Sequence, residues 1–170
     1  MTGHRPVVVM GVSGSGKTTI GSALTRHWEG TQFVDADDLH PQANKEKMRS
    51  GHPLTDEDRW PWLDICAARI AAIEAQGQRC VMANSALKRV YRDRLRSTNP
   101  DLFFVFLTGD EDVIAERQRR RHHEYMPDSL LGSQLATLEP LQADEAGLVV
   151  RIDQTLESVI QSIDSALVTR

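Results

Sequence analysis

Short, mainly apolar runs alternate with longer amphipathic stretches along most of the chain. The runs have the length of β-strands and lie at Val7–Met10, Gln32–Val34, Cys80–Ala83, Leu102–Leu107 and Leu148–Ile152. The fourth is apolar throughout, which predicts a central strand covered on both faces. Strands that alternate with helices form parallel sheets with helices on both sides. The pattern predicts one three-layer α/β/α domain over residues 1–170, with a five-stranded parallel sheet.

Helical periodicity separates these strands. It predicts helices at about residues 19–28, 44–48, 61–75, 88–96, 110–121, 129–139 and 156–168. Thr55-x-x-Asp58 resembles a capping box, but proline is tolerated only near a helix start, so the third helix is expected to begin at about Pro61. The polar stretch His122–Asp128 indicates mobility, and a small mobile lid is expected at about residues 118–140.

The stretch Gly11–Thr18 fits the phosphate-loop pattern G-x-x-x-x-G-K-[ST], between the first strand and the first helix. Its glycines let backbone N–H groups turn inward around an anion, and the helix dipole adds positive potential. Lys17 is expected to reach the β- and γ-phosphates, and the Thr18 hydroxyl to bind Mg²⁺. The nucleoside triphosphate is predicted to contact Gly11, Ser13, Gly14, Ser15, Gly16, Lys17, Thr18 and Thr19.

Two carboxylates follow the second strand, Asp35 and Asp37. Residues two apart lie on the same side of a strand, so both are expected to point toward the γ-phosphate. Ligands bind at the carboxyl ends of strands in open α/β sheets, which favours a site over a solvated acidic turn. Asp35 is the candidate for the Mg²⁺ shell, directly or through water. Asp37 is the candidate for orienting the attacking hydroxyl and accepting its proton.

Arg117 and Arg121 lie four residues apart, on one face of the predicted fifth helix and next to the polar segment. Arginine binds phosphate oxygens in pairs and stays charged, so these two are candidates for catalytic, ATP-binding lid residues. The alternative is an exposed basic helix end that interacts favourably with the helix dipole.

Composition limits the class of protein. The net charge is −4, which argues against general nucleic-acid binding, and no apolar run approaches the roughly 20 residues that span a bilayer. The start of the chain has no signal-peptide pattern. Cys66 and Cys80 have no C-x-x-C spacing and lie in apolar surroundings, which predicts free thiols in a reducing, cytoplasmic environment.

The motifs also separate the classes of phosphate-loop protein. The guanine-reading pattern Asn-Lys-x-Asp is absent, and a helicase or motor core needs a longer chain. A small-molecule kinase of the nucleoside-monophosphate-kinase type fits the length and the lid arginines.

Several segments together resemble the bacterial-type gluconokinases over nearly the whole chain. The matching segments include Gly11–Gly21, Asp35–Pro41, Pro53–Asp56, Asp58–Leu63, Ser85–Arg96, Leu130–Gln134 and Leu138–Pro140. The resemblance implies an ATP:D-gluconate 6-phosphotransferase that forms 6-phosphogluconate, usually as a cytoplasmic homodimer. The chain departs from the family pattern at two places: Asn84 stands where the family has Cys, and Glu124-Tyr125 stands where an aromatic pair or Phe follows His.

Gluconate is a polyol with one carboxylate, so its site needs a cation and hydroxyl partners. Arg59 is the first candidate for the carboxylate, because related shikimate kinases also use an arginine there, and Lys88, close to Ser85, is the second. An ion pair of Arg59 with Asp56 or Asp58 is the alternative. His40 is a candidate for a polyol hydroxyl or for a structural role. The predicted substrate-binding set is Asp37, His40, Arg59, Ser85 and Lys88.

Two other functions stay open from the residues alone. The first is a kinase for another small anion, such as shikimate or a nucleoside monophosphate. The second is an ATP-binding regulatory module without useful turnover, which needs neither the acidic pair nor the lid arginines. The loop at Asp153-Gln154 is the position expected for adenine.

Overall fold

Five parallel strands form the centre of the molecule in the computed structural model, which describes residues 4–110, 112–114, 116 and 129–168. The strands are β1 Val7–Met10, β2 Thr31–Asp35, β3 Arg79–Ala83, β4 Phe103–Thr108 and β5 Gly147–Arg151. Their order across the sheet is β2-β3-β1-β4-β5, and every neighbouring pair is parallel. The predicted fold class is confirmed.

Helices cover both faces of this sheet. They are α1 Lys17–His27, α2 Gln42–Arg49, α3 Asp56–Ala75, α4 Arg89–Thr98, α5 Ser129–Thr137 and α6 Leu156–Val168. Helix α1 packs with α6, and α3 packs with α4. The four residues of β1 are at most 1% exposed, because both helical layers and two neighbouring strands enclose this strand. The fourth strand is also buried, but it lies beside the central strand β1.

The start of α3 corrects the sequence prediction. The helix begins at Asp56, five residues before Pro61, and the capping box at Thr55 is complete in both directions. The Thr55 hydroxyl accepts from the Asp58 N–H at 3.2 Å, and Asp58 Oδ2 accepts from the Thr55 N–H at 2.9 Å. Pro61 costs one backbone hydrogen bond, whose acceptor lies on the exposed residue Glu57. The cap and the long apolar face outweigh that loss.

The part of the chain between β4 and α5 is described only at its beginning. The Ile114 N–H donates to the Asp110 carbonyl at 3.1 Å, which is a helical contact, and Ile114 is buried. Most of the predicted fifth helix and the first part of the predicted lid lie outside the described residues. Within the described residues, no helix is long and apolar enough to cross a membrane.

Candidate functional site: a phosphate loop and an acidic, basic cavity

The phosphate loop occupies the turn between β1 and α1, as predicted. Gly14 and Gly16 have φ angles of 85° and 101°, in the left-handed region that favours glycine. At Gly11 a Cβ atom would lie 2.8 Å from Ser15 Oγ and 2.9 Å from the Leu107 carbonyl, so a side chain does not fit there. The loop therefore curls as tightly as an anion-binding backbone nest requires.

The N-terminus of α1 opens onto this loop. Gly16 caps the helix without a side-chain hydrogen bond, and the first turn carries no acidic residue. The N-terminal N–H groups and the helix dipole thus favour an anion at this point. Lys17 Nζ donates to the carbonyls of Gly11 at 3.1 Å and Val12 at 3.0 Å, which holds the ammonium over the loop.

A cavity extends from the loop across the carboxyl edge of the sheet. Its wall combines polar groups from five separate segments: Ser13, Gly14, Lys17, Thr18, Asp35, Asp37, His40, Arg59, Ser85, Ser133, Gln134 and Thr137. Apolar side chains complete the wall, among them Met48, Leu54, Trp62 and Leu87. The cavity brings together most of the residues predicted for phosphoryl transfer and for the acceptor. Lys88 does not line it.

Asp35 and Asp37 reach the cavity by a different route from the one predicted. Strand β2 ends at Asp35, and Asp37 belongs to a short 3₁₀-helix, Ala36–Leu39. Asp35 Oδ1 accepts from the Asp37 N–H at 3.0 Å and so caps that 3₁₀-helix. Strand alternation therefore does not relate the two side chains as predicted, but the turn still places both carboxylates in the cavity wall.

The cavity raises the pKa of both carboxyl groups. Burial is the main cause for Asp37, while the nearby Lys17 ammonium acts in the opposite direction. Burial and the charge of Asp37 together raise the pKa of Asp35. A carboxylate with a raised pKa is a better proton acceptor than an ordinary surface aspartate. The arrangement suits a general base beside a charged phosphate site.

Arg59 lies in the cavity wall without an ion pair to either neighbouring aspartate. Its Nη1 donates to the Leu54 carbonyl at 2.8 Å and to Tyr91 Oη at 2.9 Å. Asp58 pairs instead with Lys47 at 2.7 Å, and Asp56 with Lys88 at 3.1 Å. Among the described residues, Arg59 therefore has no salt-bridge partner, and Lys88 is engaged by a carboxylate outside the cavity.

His40 lines the cavity, and neighbouring side chains also hold its ring in place. Its ring stacks on Trp62 with centroids 4.1 Å apart, and Nδ1 lies 3.2 Å from Asn44 Nδ2. Burial, together with the charges of Arg59 and Lys45, lowers the pKa of His40 to about 3. The imidazole is therefore neutral at physiological pH. Because Asn44 Nδ2 donates, Nδ1 is the acceptor and Nε2 carries the proton.

The segment after β3 is held in a strained conformation beside the cavity. Ala86 has a φ of 44°, which is unfavourable for a residue with a Cβ atom. Asn84 Oδ1 accepts from the Ala86 N–H at 3.0 Å, and the buried Arg92 donates to the Ala86 carbonyl at 2.8 Å. The Ser85 carbonyl accepts from Gly11 N–H at 3.3 Å. Asn84 thus stabilises the conformation of this turn through its side chain. Ser85 lines the cavity, whereas Asn84 does not.

Several contributors were not predicted as site residues, and two of them, Gln134 and Tyr91, form hydrogen bonds with predicted ones. The Gln134 carboxamide comes from α5, and its Oε1 accepts from the Ser13 N–H of the phosphate loop at 2.7 Å. Tyr91 holds Arg59 from behind the cavity. Neither contact has a local sequence signal, because the partners are 121 and 32 residues apart. The periodicity of α4 could have shown only that Tyr91 lies on its buried face.

A second cavity adjoins the other side of the phosphate loop. Its wall is formed by Gly14, Ser15, Gly16, Thr19, Ile20, Leu107, Ile152, Gln154, Leu156 and Val159. Gln154, which the sequence suggested for adenine, lies in this wall. The predicted lid arginines Arg117 and Arg121, and the divergent Tyr125, lie outside the described residues.

Three comparisons relate this site to known proteins. Residues 7–141 match the model of a family described as an AAA domain. The thermoresistant gluconokinase of Escherichia coli (strain K12) is 44% identical, over 94% of this chain and 91% of that protein. The structure of a gluconokinase from Sinorhizobium meliloti 1021 is 43% identical with a TM-score of 0.85, over 97% and 92% of the two chains. A sugar kinase from Janibacter sp. HTCC2649 is 47% identical with a TM-score of 0.90, over 96% and 94%.

Proposed function

The chain belongs to the gluconokinase family, and on that premise we propose that it transfers the terminal phosphoryl group of ATP to the 6-hydroxyl of D-gluconate. The products are 6-phospho-D-gluconate and ADP. One observation in particular supports this: Asp37, Arg59 and the phosphate-loop residue Lys17 line a single cavity. A base, a cation for a carboxylate and a phosphate site are the three parts that this reaction needs.

In this mechanism the phosphate loop binds the donor. Backbone N–H groups and Lys17 neutralise the charge of the β- and γ-phosphates, and most of the catalysis comes from this stabilisation and from alignment. Asp37 accepts the proton of the 6-hydroxyl as the oxygen attacks phosphorus. The raised pKa of Asp37 matches this role. Arg59 binds the carboxylate at the other end of gluconate, and Ser85 and His40 Nε2–H bind its hydroxyl groups.

Mg²⁺ fits the oxygen donors of the site. Thr18 and Asp35 line the cavity next to Lys17, and Mg²⁺ in such sites takes one or two protein oxygens with the rest of its shell from phosphates and water. The described residues contain no group of three His, Cys, Asp or Glu side chains suited to hold a metal alone. When bound, the ion neutralises phosphate charge. Thr18 would hold it directly, and Asp35 directly or through water.

The remaining parts of the proposal extend beyond the described site. Arg117 and Arg121 close over the phosphates from a lid at about residues 118–140, and the chain acts as a single domain in a cytoplasmic homodimer. Two buried free thiols, Cys66 and Cys80, are consistent with a reducing environment.

The test is a panel of acceptors. ADP release is measured with ATP, Mg²⁺ and, in turn, gluconate, other sugar acids, shikimate and nucleoside monophosphates, and the product is identified by mass spectrometry. We expect turnover on gluconate, and turnover roughly 10²-fold slower with the Asp37→Asn variant. Turnover on shikimate but not on gluconate would favour the other small-anion kinases. ATP binding without ADP release on any acceptor would favour a regulatory module.

A further inference from the structure

Tyr91 lies directly behind the proposed carboxylate ligand. It is 1% exposed, belongs to α4, and does not line the acceptor cavity. Its hydroxyl accepts from Arg59 Nη1 at 2.9 Å and donates to Asp56 Oδ1. The direction of both bonds is fixed by chemistry, because a guanidinium can only donate and a carboxylate can only accept. Tyr91 therefore connects Arg59 to Asp56 through a neutral group.

Of the two charged residues in this relay of Arg59, Tyr91 and Asp56, only Asp56 has an ion-pair partner among the described residues. Lys88 Nζ lies 3.1 and 3.3 Å from the two Asp56 carboxylate oxygens, so the charge of Asp56 already has a partner. Arg59 has no ion pair within the described residues, and both of its hydrogen bonds leave from Nη1. In the part of the chain that the structure describes, Nε and Nη2 of Arg59 have no hydrogen-bond partner. A direct Arg59–Asp56 pair would instead set a resident carboxylate in competition with the substrate carboxylate.

Aromatic packing limits the movement of Tyr91. Trp60 meets its ring edge-on with centroids 5.8 Å apart, and the guanidinium carbon of Arg59 lies 5.2 Å from the ring centroid. The ring and the hydroxyl thus restrict Arg59 by a cation–π contact and a hydrogen bond together. Side chains held in this way lose less conformational entropy when a ligand binds.

We propose that Tyr91 is a positioning residue for substrate selection. Its hydrogen bond to Asp56 anchors the Tyr91 hydroxyl, which in turn holds Arg59 toward the cavity. The charge of Arg59 then stays available for the carboxylate of the acceptor. This rests on the proposed function, which assigns Arg59 to the carboxylate and gluconate as the acid. Tyr91 acts through Arg59 and does not contact the acceptor. Removing its hydroxyl should therefore weaken acceptor binding without changing the donor site.

The test is a double-mutant cycle with Tyr91→Phe and Arg59→Ala. KM and kcat are measured for gluconate, and KM for ATP. Tyr91→Phe should raise KM for gluconate about 10-fold, the size expected for a hydrogen bond to a charged group, with kcat changed less than about 3-fold and KM for ATP unchanged. In the Arg59→Ala background the same change should add less than about 2-fold, because the arginine through which it acts is gone.

A neutral acceptor gives a second measurement. D-glucitol has the hydroxyl groups of gluconate but no carboxylate, and Tyr91→Phe should reduce the preference for gluconate over D-glucitol. Asp164→Asn is the control for general destabilisation, because Asp164 binds His27 and Trp28 where α1 packs with α6 and makes no contact with Arg59, Tyr91 or Asp56 among the hydrogen bonds of the described residues. It should lower the melting temperature without changing KM for gluconate.

Each outcome decides the inference. The inference would be overturned if the effects of Tyr91→Phe and Arg59→Ala on KM for gluconate were additive in free energy. It would also be overturned if Tyr91→Phe lowered kcat and left KM for gluconate unchanged. If Tyr91→Phe does not fold, Asp56→Asn replaces it and should raise KM for gluconate several-fold, and an unchanged KM would overturn the inference. Wild-type enzyme that fails to phosphorylate gluconate contradicts the proposed function. Normal wild-type turnover with an unaffected Tyr91→Phe variant contradicts the relay alone.

Discussion

The proposed donor half and the proposed acceptor half of the site are built in opposite ways. The donor half, residues 11–19, is one continuous segment whose binding groups are mainly backbone N–H groups and one lysine. The acceptor half is assembled from side chains of the 3₁₀-helix, the start of α3, the Ser85 turn and α5. A local motif determines the first, and tertiary contacts determine the second. Substitutions in the donor half should therefore affect mainly kcat. Substitutions in the acceptor half should affect acceptor binding or pH dependence and, at the proposed base Asp37, kcat as well.

The largest effect is expected from Lys17→Ala. Loss of the ammonium removes charge stabilisation at the phosphates, and kcat should fall on the order of 10³-fold, with KM for gluconate nearly unchanged. Steady-state kinetics with both substrates varied gives the two values. Lys45→Ala, on α2, is the matched control and should keep wild-type kcat. A comparable rise in KM for gluconate would mean that the two halves are not separable.

Asp37→Asn should lower kcat by roughly 10²-fold, because a general base contributes about that much. Burial raises the pKa of Asp37, so the wild-type rate should fall with acidification at a pH above the ordinary aspartate range. The variant should lose that acid limb. The exposed neighbour Asp38 is the control: Asp38→Asn should keep kcat, and should move the acid limb slightly lower because the Asp38 charge raises the pKa of Asp37. An acid limb that persists in Asp37→Asn would exclude Asp37 as the base.

Arg59→Ala should raise KM for gluconate by roughly 30-fold and change kcat less, since the lost contacts are with a distant carboxylate. Initial rates over a range of gluconate concentrations measure both values. Arg94→Ala removes an exposed arginine of α4 that pairs with Asp64, and should leave KM unchanged. Equal KM values for Arg59→Ala and wild type would exclude Arg59 as the carboxylate ligand.

The smallest effect concerns the response of the acceptor half to acid. His40 has a pKa of about 3 in the folded chain and about 6.5 when unfolded, so between these values the unfolded state binds more protons. Its contribution to the free energy of unfolding is complete above pH 6.5 and declines as the pH falls. At pH 5 the loss is at most about 2 kcal/mol. The raised pKa values of Asp35 and Asp37 act in the opposite direction.

Urea unfolding at pH 7.5 and pH 5 measures this difference. His40→Asn should unfold with a smaller loss of stability between the two pH values than wild type, because the side chain that the unfolded state protonates is gone. Equal losses in the two proteins would show that His40 does not control the acid response.

The strands, most helices and the phosphate loop could be predicted because each depends on neighbours in the sequence. Apolar runs determine strands, periodicity determines helices, and Gly14 and Gly16 allow the loop conformation directly. The start of α3 was predicted five residues too late, because the proline was given more weight than the cap at Thr55. The geometry at Asp37 was wrong, because a 3₁₀-helix replaces the last part of the expected strand.

By itself the sequence determined the class of fold, the position of the phosphate loop and, through resemblance, the family. Only the tertiary structure decided which partner each charged side chain has. It pairs Asp56 with Lys88 and leaves Arg59 held by Tyr91, and it brings Gln134 of α5 to Ser13 of the phosphate loop. The physical reason is that backbone conformation depends on nearby residues, whereas charge pairing, burial and pKa depend on what distant segments bring into contact.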